Sequence, residues 1–176
     1  MTPQDAQTIS QFLLGNLEAE IPATLNVFRA VPAERQEYRP DPVSKTAIGL
    51  MRHITLEDEW LLNAVADGEF APVPDDSDAC GLMNAADAVA RYQERIPAAM
   101  ARVRGLSGEA LLKQVDLMGA FQLPAVQFLA MMLRHSAHHR GQLSAYLRAM
   151  GSKVPSIYGP SADTMNAPAA AEAVTA

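Results

Sequence analysis

Arg134-His135-Ser136-Ala137-His138-His139-Arg140-Gly141-Gln142 decides how the rest of the chain is read. Three of the protein's four histidines fall within five residues here. The stretch lies inside a segment with helical periodicity that runs from Pro124 to Met150. Pro124 suits the first position of a helix and Gly151 its C′ stop, which gives about 27 residues or roughly 40 Å. On such a helix His135 and His139, four apart, share a face one turn from each other. Two imidazoles in that relation can aim nitrogens at one point, and a divalent metal at roughly 2.0–2.1 Å is the usual occupant. The same face continues through Phe128, Met131 or Met132, Gln142 and Tyr146, an apolar lining with isolated polar groups. Gly141, mid-helix, costs on the order of 1 kcal/mol against alanine, which suggests a close approach to the backbone there.

Other helices precede this one. Ile9, Leu13, Leu17, Ile21, Leu25 and Phe28 recur at three- and four-residue steps, and Pro22 within them predicts a kink. Residues 31–43 are rich in proline and charge and read as a connection. A second helix is expected from an N-cap at Ser44 to Asp67-Gly68, with Ala47, Met51, Ile54, Leu61 or Leu62 and Val65 as its core stripe. Residues 68–82 read as an acidic loop. Asn84 then caps a third helix whose stripe is Val89, Tyr92, Ile96, Met100 and Val103. A short helix from Ser107-Gly108 to about Val115 and an extended crossover over 116–123 lead into the last long helix. No longer segment has strand periodicity. The expected fold is all-α, an antiparallel four-helix bundle occupying residues 1–160, with an Ala-rich tail over 161–176.

Composition narrows the function. The 176 residues carry a net charge of −6 without a basic block, which argues against nucleic acid or an anionic membrane surface as partner. No apolar run reaches the 18 residues of a membrane span. The single cysteine, Cys80, has no internal partner, and the N-terminus lacks the features of a signal peptide, so the expected compartment is the cytoplasm. Cys80 sits in the acidic loop with no histidine nearby in sequence, a poor setting for a nucleophile.

A protein-held metal wants a third ligand, and His53 in the second helix is the one histidine outside the cluster. His138, three residues from His135, is an alternative to His139 by spacing alone. Glu57, one turn after His53, has the position of a proton acceptor or ring-orienting group, or of a solvated carboxylate in the run Glu57-Asp58-Glu59. Gln142 and Tyr146 are candidates for contacting a bound cofactor or substrate. Trp60 reads as packing, Arg140 and Arg148 as surface or dimer contacts, and Tyr158 as a residue of a turn able to cover the pocket mouth.

The run His-x-x-His-His-Arg-Gly-Gln-Leu over His135 to Leu143, then Tyr146-Leu147-Arg148 and Val154-Pro155-Ser156-Ile157-Tyr158-Gly159-Pro160, resembles the DinB family of helical-bundle proteins. The resemblance implies a three-histidine metal site at His53, His135 and His139, with His139 rather than His138 as the ligand. It also implies a homodimer and a small-molecule substrate. Relatives range from thiol-dependent transferases and isomerases to metal-dependent hydrolases, so a low-molecular-weight thiol joins the expected cofactors. Histidine-only ligation suits zinc or nickel first, with iron, copper or cobalt also compatible. A non-catalytic metal-binding or stress-response protein of the same fold is the competing expectation.

Overall fold

A computed structural model describes residues 1–165. Four long helices form the bundle: α1 (Pro3–Arg29), α2 (Ala47–Asp67), α3 (Ala85–Arg104) and α5 (Ala125–Ala149). Between α3 and α5 lie a short helix α4 (Gly108–Leu112) and a two-stranded antiparallel hairpin, β1 (Gln114–Asp116) and β2 (Gln122–Pro124). A last turn of helix, α6, spans Ala162–Met165. Around the bundle, α2 packs on α5 and α3, and α1 packs on α3 and α5.

Residue pairing gives the helix directions. Ascending α5, the partners on α2 descend: Asp58 and His53 face His135, and Leu50 lies beside His139 and Tyr146. Glu18 meets Arg104 while Phe28 meets Tyr92, so α1 and α3 are also antiparallel. Glu59 with Arg91 and Asp67 with Arg102 show α2 and α3 running the same way. Two parallel neighbours need a long return connection. Residues 68–84 supply it, travelling back along α2: the Trp60 indole donates to the Ala71 carbonyl at 2.8 Å, and Arg52 donates to the Leu82 carbonyl at 2.7 Å. This return passes His53, and the site depends on it.

The expected stripes of α2 are all buried, and on α3 only Val89 is less than fully covered. On α1 the face is rotated at the N-terminal end. Ile9 is exposed and Leu13 half-buried, whereas Ala6, Ser10, Leu14 and Leu17 point inward. The docked α4 explains it. At Gly108 a Cβ would collide with the Pro3 backbone, so α4 approaches α1 closer than any side chain permits. That is the close backbone approach which the sequence suggested at Gly141. Around Gly141, apart from its chain neighbours and the backbone of its own helix, no atom of the described residues lies within 4 Å of where a Cβ would stand. Gly141→Ala is accordingly expected to stabilise the protein by about 0.5–1 kcal/mol through helix propensity, read as a raised midpoint in denaturant unfolding.

Other boundaries differ locally. Thr46, not Ser44, caps α2, its Oγ1 accepting from the Gly49 amide at 3.1 Å, while the Ser44 hydroxyl is committed to Asp41 at 2.6 Å. The last helix begins at Ala125, with Pro124 as its N-cap, and Gly151 follows it in the left-handed region at φ 82°. α1 continues through Pro22 without a break. The extended crossover is a hairpin, turned by positive φ at both Met118 and Gly119. Of the expected tail, Ser161–Met165 is ordered by Asp163, which accepts from the Val154 amide at 2.9 Å and pairs with Arg148 at 3.0 Å; residues 166–176 lie outside the described residues.

Candidate metal centre

The antiparallel α2–α5 seam brings His53, His135 and His139 together, one ligand-type atom of each lying within 4.8 Å of the others. The His53 Nε2 and His135 Nε2 atoms face each other at 3.2 Å. A tetrahedral shell at roughly 2.0–2.1 Å separates its donors by about 3.3 Å, so this spacing suits two ligands of one ion. The three ring centroids are 4.5–5.0 Å apart. His138 is exposed and outside the trio, its ring 4.8 Å from that of His139.

Each ring has an oxygen on its far side, within hydrogen-bonding distance for His53 and His139 and farther off for His135. His53 Nδ1 lies 3.0 Å from Asp76 Oδ2, whose other partner is the Lys45 ammonium at 2.6 Å. His139 Nδ1 donates to Gln142 Oε1 at 2.7 Å, since an amide oxygen only accepts. His135 Nδ1 stands 3.7 Å from Asp58 Oδ1; both atoms are buried and have no other partner among the described residues. Asp58 is fully buried and held on its other oxygen by the Tyr92 hydroxyl at 3.0 Å.

These tautomers test whether a cation fits. With the His53 Nδ1 proton given to Asp76, a proton between the two Nε2 atoms must come from His135. A neutral His135 then turns a lone pair on Nδ1 toward the buried Asp58 oxygen, and both groups are left unsatisfied. A cation shared by the Nε2 atoms lets His135 carry its proton on Nδ1, facing Asp58. Imidazoles backed by carboxylates and carbonyl oxygens in this way are the usual support of a histidine-ligated metal. The residues fit a divalent cation.

Electrostatics agree. Burial, with His139 and His135 adding to it, pushes His53 down from 6.5 to about 4, against the raising effect of Asp76. Burial likewise lowers His139, opposed by its bond to Gln142. Burial resists ionisation of Asp76, but Lys45 and His53 outweigh it and hold the carboxyl below its ordinary value. The unfolded chain therefore protonates His53 first. For the metal-free protein this group's contribution is constant above the unfolded value of 6.5, is lost as pH falls from there through about 4, and changes no further below. Thermal midpoints measured in chelator should fall across that window more steeply for wild type than for His53→Ala. Parallel profiles would refute the assignment.

Glu57 lies beside His53, its Oε1 3.9 Å from Nδ1, and burial raises its carboxyl pKa. A pocket of about 170 Å³ opens next to His139, lined by Ser44, Lys45, Leu50, His139, Gln142 and Tyr146. Both candidate pocket residues, Gln142 and Tyr146, thus stand at one cavity with a member of the trio. Tyr158 does not cover it: its hydroxyl contacts Glu20 and its ring lies over Arg140, on the α1–α5 seam. Arg140 is buried in that seam rather than at the surface. Trp60 packs against Phe70 at 4.5 Å, and Cys80 sits in a 3-10 turn outside the trio. Asp58, Asp76 and Lys45 are the site residues that sequence reading missed.

Fold and site define a four-helix bundle with a three-histidine cluster on one interhelical seam. The family model described as the DinB family matches residues 7–172, and the chain belongs to that family. Among curated relatives, the uncharacterized protein YjoA of Bacillus subtilis is 24% identical over 151 residues, covering 84% of this chain and 92% of its own length. YrdA of the same organism, also uncharacterized, is 38% identical over 50 residues, 28% of this chain and 29% of its own. The crystal structure of the DinB-like YjoA superposes with a TM-score of 0.67 at 18% identity, over 84% of this chain and 99% of that one. A DinB-like protein from Bacillus cereus gives 0.68 at 22%, covering 83% and 95%. A mutant of mycothiol-dependent maleylpyruvate isomerase shares the fold at 0.54 and 14% identity, over 81% of this chain and 61% of that one. No helix among the described residues is long and apolar enough to cross a membrane.

Proposed function

We propose that this chain is a divalent-metal-dependent enzyme acting on a small molecule, with water or a low-molecular-weight thiol as the attacking group. The observation that carries the reading is the trio itself: three imidazoles, each with its Nδ1 directed to an oxygen, gathered beside an open pocket. Neutral nitrogen donors suit zinc or nickel, with iron, copper and cobalt compatible. When bound, such an ion keeps its full charge, because imidazoles cancel none of it, and lowers the pKa of a protic ligand.

The chain's own groups do the rest. Asp76 and Gln142 hold the His53 and His139 rings by their Nδ1 atoms, which frees Nε2. Asp58 stands 3.7 Å from His135 Nδ1 as the acceptor that ring would face with its Nε2 on the ion. Glu57, its pKa raised by burial, is the candidate proton acceptor at Oε1. Hydrolysis follows if the group deprotonated is water, and transfer or isomerisation if it is a thiol. The shared fold of the mycothiol-dependent isomerase supports including the thiol. A purely non-catalytic site would be sealed by a fourth ligand; the pocket at His139 favours turnover.

The test is a screen of metal-loaded protein against ester substrates and thiol-transfer pairs. Glu57→Gln is expected to lower kcat by roughly 10²–10⁴-fold while leaving the metal content unchanged. Activity indifferent to His139→Ala contradicts the reading.

A further inference from the structure

We infer that the pocket beside His139 binds the carboxylate of a small organic acid, with Lys45 as its counter-ion. The inference rests on the proposed function in taking this pocket as the substrate site, but it concerns the chain's own residues and is testable without metal.

Six residues line the cavity, and Lys45 is the one charged side chain among those not in the histidine trio. Its ammonium is held in place by Asp76 at 2.6 Å, which uses one of three N–H groups and leaves two to donate. The Gln142 amide is oriented by its neighbour: Oε1 accepts from His139 Nδ1, so its NH₂ remains as a donor. The Tyr146 hydroxyl has no hydrogen-bond partner among the described residues, and its ring is braced edge-on by Tyr38 at 5.6 Å. The Ser44 hydroxyl proton is already given to Asp41. Unused polar capacity on this wall is thus dominated by donors around one cation, the complement of an acceptor-only group.

The remaining wall, Leu50 and the Tyr146 ring, is apolar. At about 170 Å³ the cavity is smaller than the roughly 300–1,000 Å³ that drug-sized ligands occupy. A short hydrocarbon chain carrying one carboxylate fits both properties. Anchored at Lys45, the acid would direct its other end along the pocket toward His139. Two aspartates lie close, Asp76 and Asp41, but each is engaged by its own donors, Lys45 with His53 and Ser44 with the Val43 amide.

Butyrate and butyramide match in shape and differ in charge, so the pair isolates this claim. Binding of each is measured by ligand-observed NMR on chelator-stripped protein, where no ion can capture the carboxylate, and again after zinc loading. Butyrate should bind about tenfold tighter than butyramide to the stripped protein, because both can accept from the ammonium but only the carboxylate adds its own charge to the pair. Lys45→Met should remove that preference and Lys45→Arg should restore it. Equal affinities for acid and amide, no binding of either, or a preference that survives Lys45→Met would overturn the inference. Failure of the functional reading looks different: the preference would persist in stripped protein while zinc titration found no site at the histidines.

Discussion

His135→Ala should lower divalent-metal affinity by more than about 100-fold, beyond the 10–100-fold that loss of a supporting partner typically costs. His135 meets both other members of the trio. Its Nε2 faces that of His53 at 3.2 Å, its ring lies 4.5 Å from that of His139, and its Nδ1 faces Asp58, the one fully buried carboxylate among the described residues. Removing it deletes a ligand and strands Asp58, whose remaining support is the Tyr92 hydroxyl. Burial, and then the carboxylate itself, already push the Tyr92 pKa well up, so that phenol stays a neutral donor and cannot compensate the charge. His138→Ala is the control, since His138 is exposed and outside the trio. Calorimetric zinc titration of the two variants separates the readings. Equal losses in both would mean that the wrong histidines have been assigned.

Arg140→Ala should destabilise the fold by on the order of 3 kcal/mol, the lower end of what breaking a buried ion pair costs. For a chain of this size that is a drop in Tm of roughly 6–12 °C. Arg140 is 1% exposed and joins α5 to α1 through the Glu20 carboxylate and the Thr24 hydroxyl at 3.0 Å. The Tyr158 ring lies over the guanidinium at 5.3 Å, pinning the segment after α5 to the same seam. Without the guanidinium, the Glu20 carboxylate retains, among the described residues, the Tyr158 hydroxyl as its side-chain partner. The lower end applies because the Glu20 side chain is 20% exposed and regains some water. Arg140→Lys should recover part of the loss, retaining charge without the planar fork. A Tm within 2 °C of wild type for Arg140→Ala would show the seam to be held by packing alone.

What the sequence made legible follows from local periodicity. A four-residue step places His135 and His139 on one face whatever surrounds them, and the same rule found the inner stripe of α2. Asp76 was hidden because its neighbour His53 is 23 residues away, and only the path of the return loop joins them. Asp58 was missed although the signal existed. Three consecutive residues, Glu57-Asp58-Glu59, cover about 200° of a helix, so on a helix with two buried sides one of them must turn inward. Arg140 was read as a surface residue from its charge, yet it stands about 100° from His139, which faces α2, and that rotation carries it onto α1. The hairpin strands are three residues each, too short to display a period of two. The rotation of α1 at Ile9 depends on α4 docking through Gly108, a contact no local pattern encodes.

The central claim is that imidazoles from α2 and α5 share one cation. Stripping the wild-type protein with chelator, titrating it with zinc and recording the X-ray absorption spectrum of the product tests it most directly. The expected result is one ion per chain with three histidine nitrogens at roughly 2.0–2.1 Å, reduced in number when His53 is replaced by alanine. Absence of saturable binding, or a spectrum unchanged by His53→Ala, would contradict it.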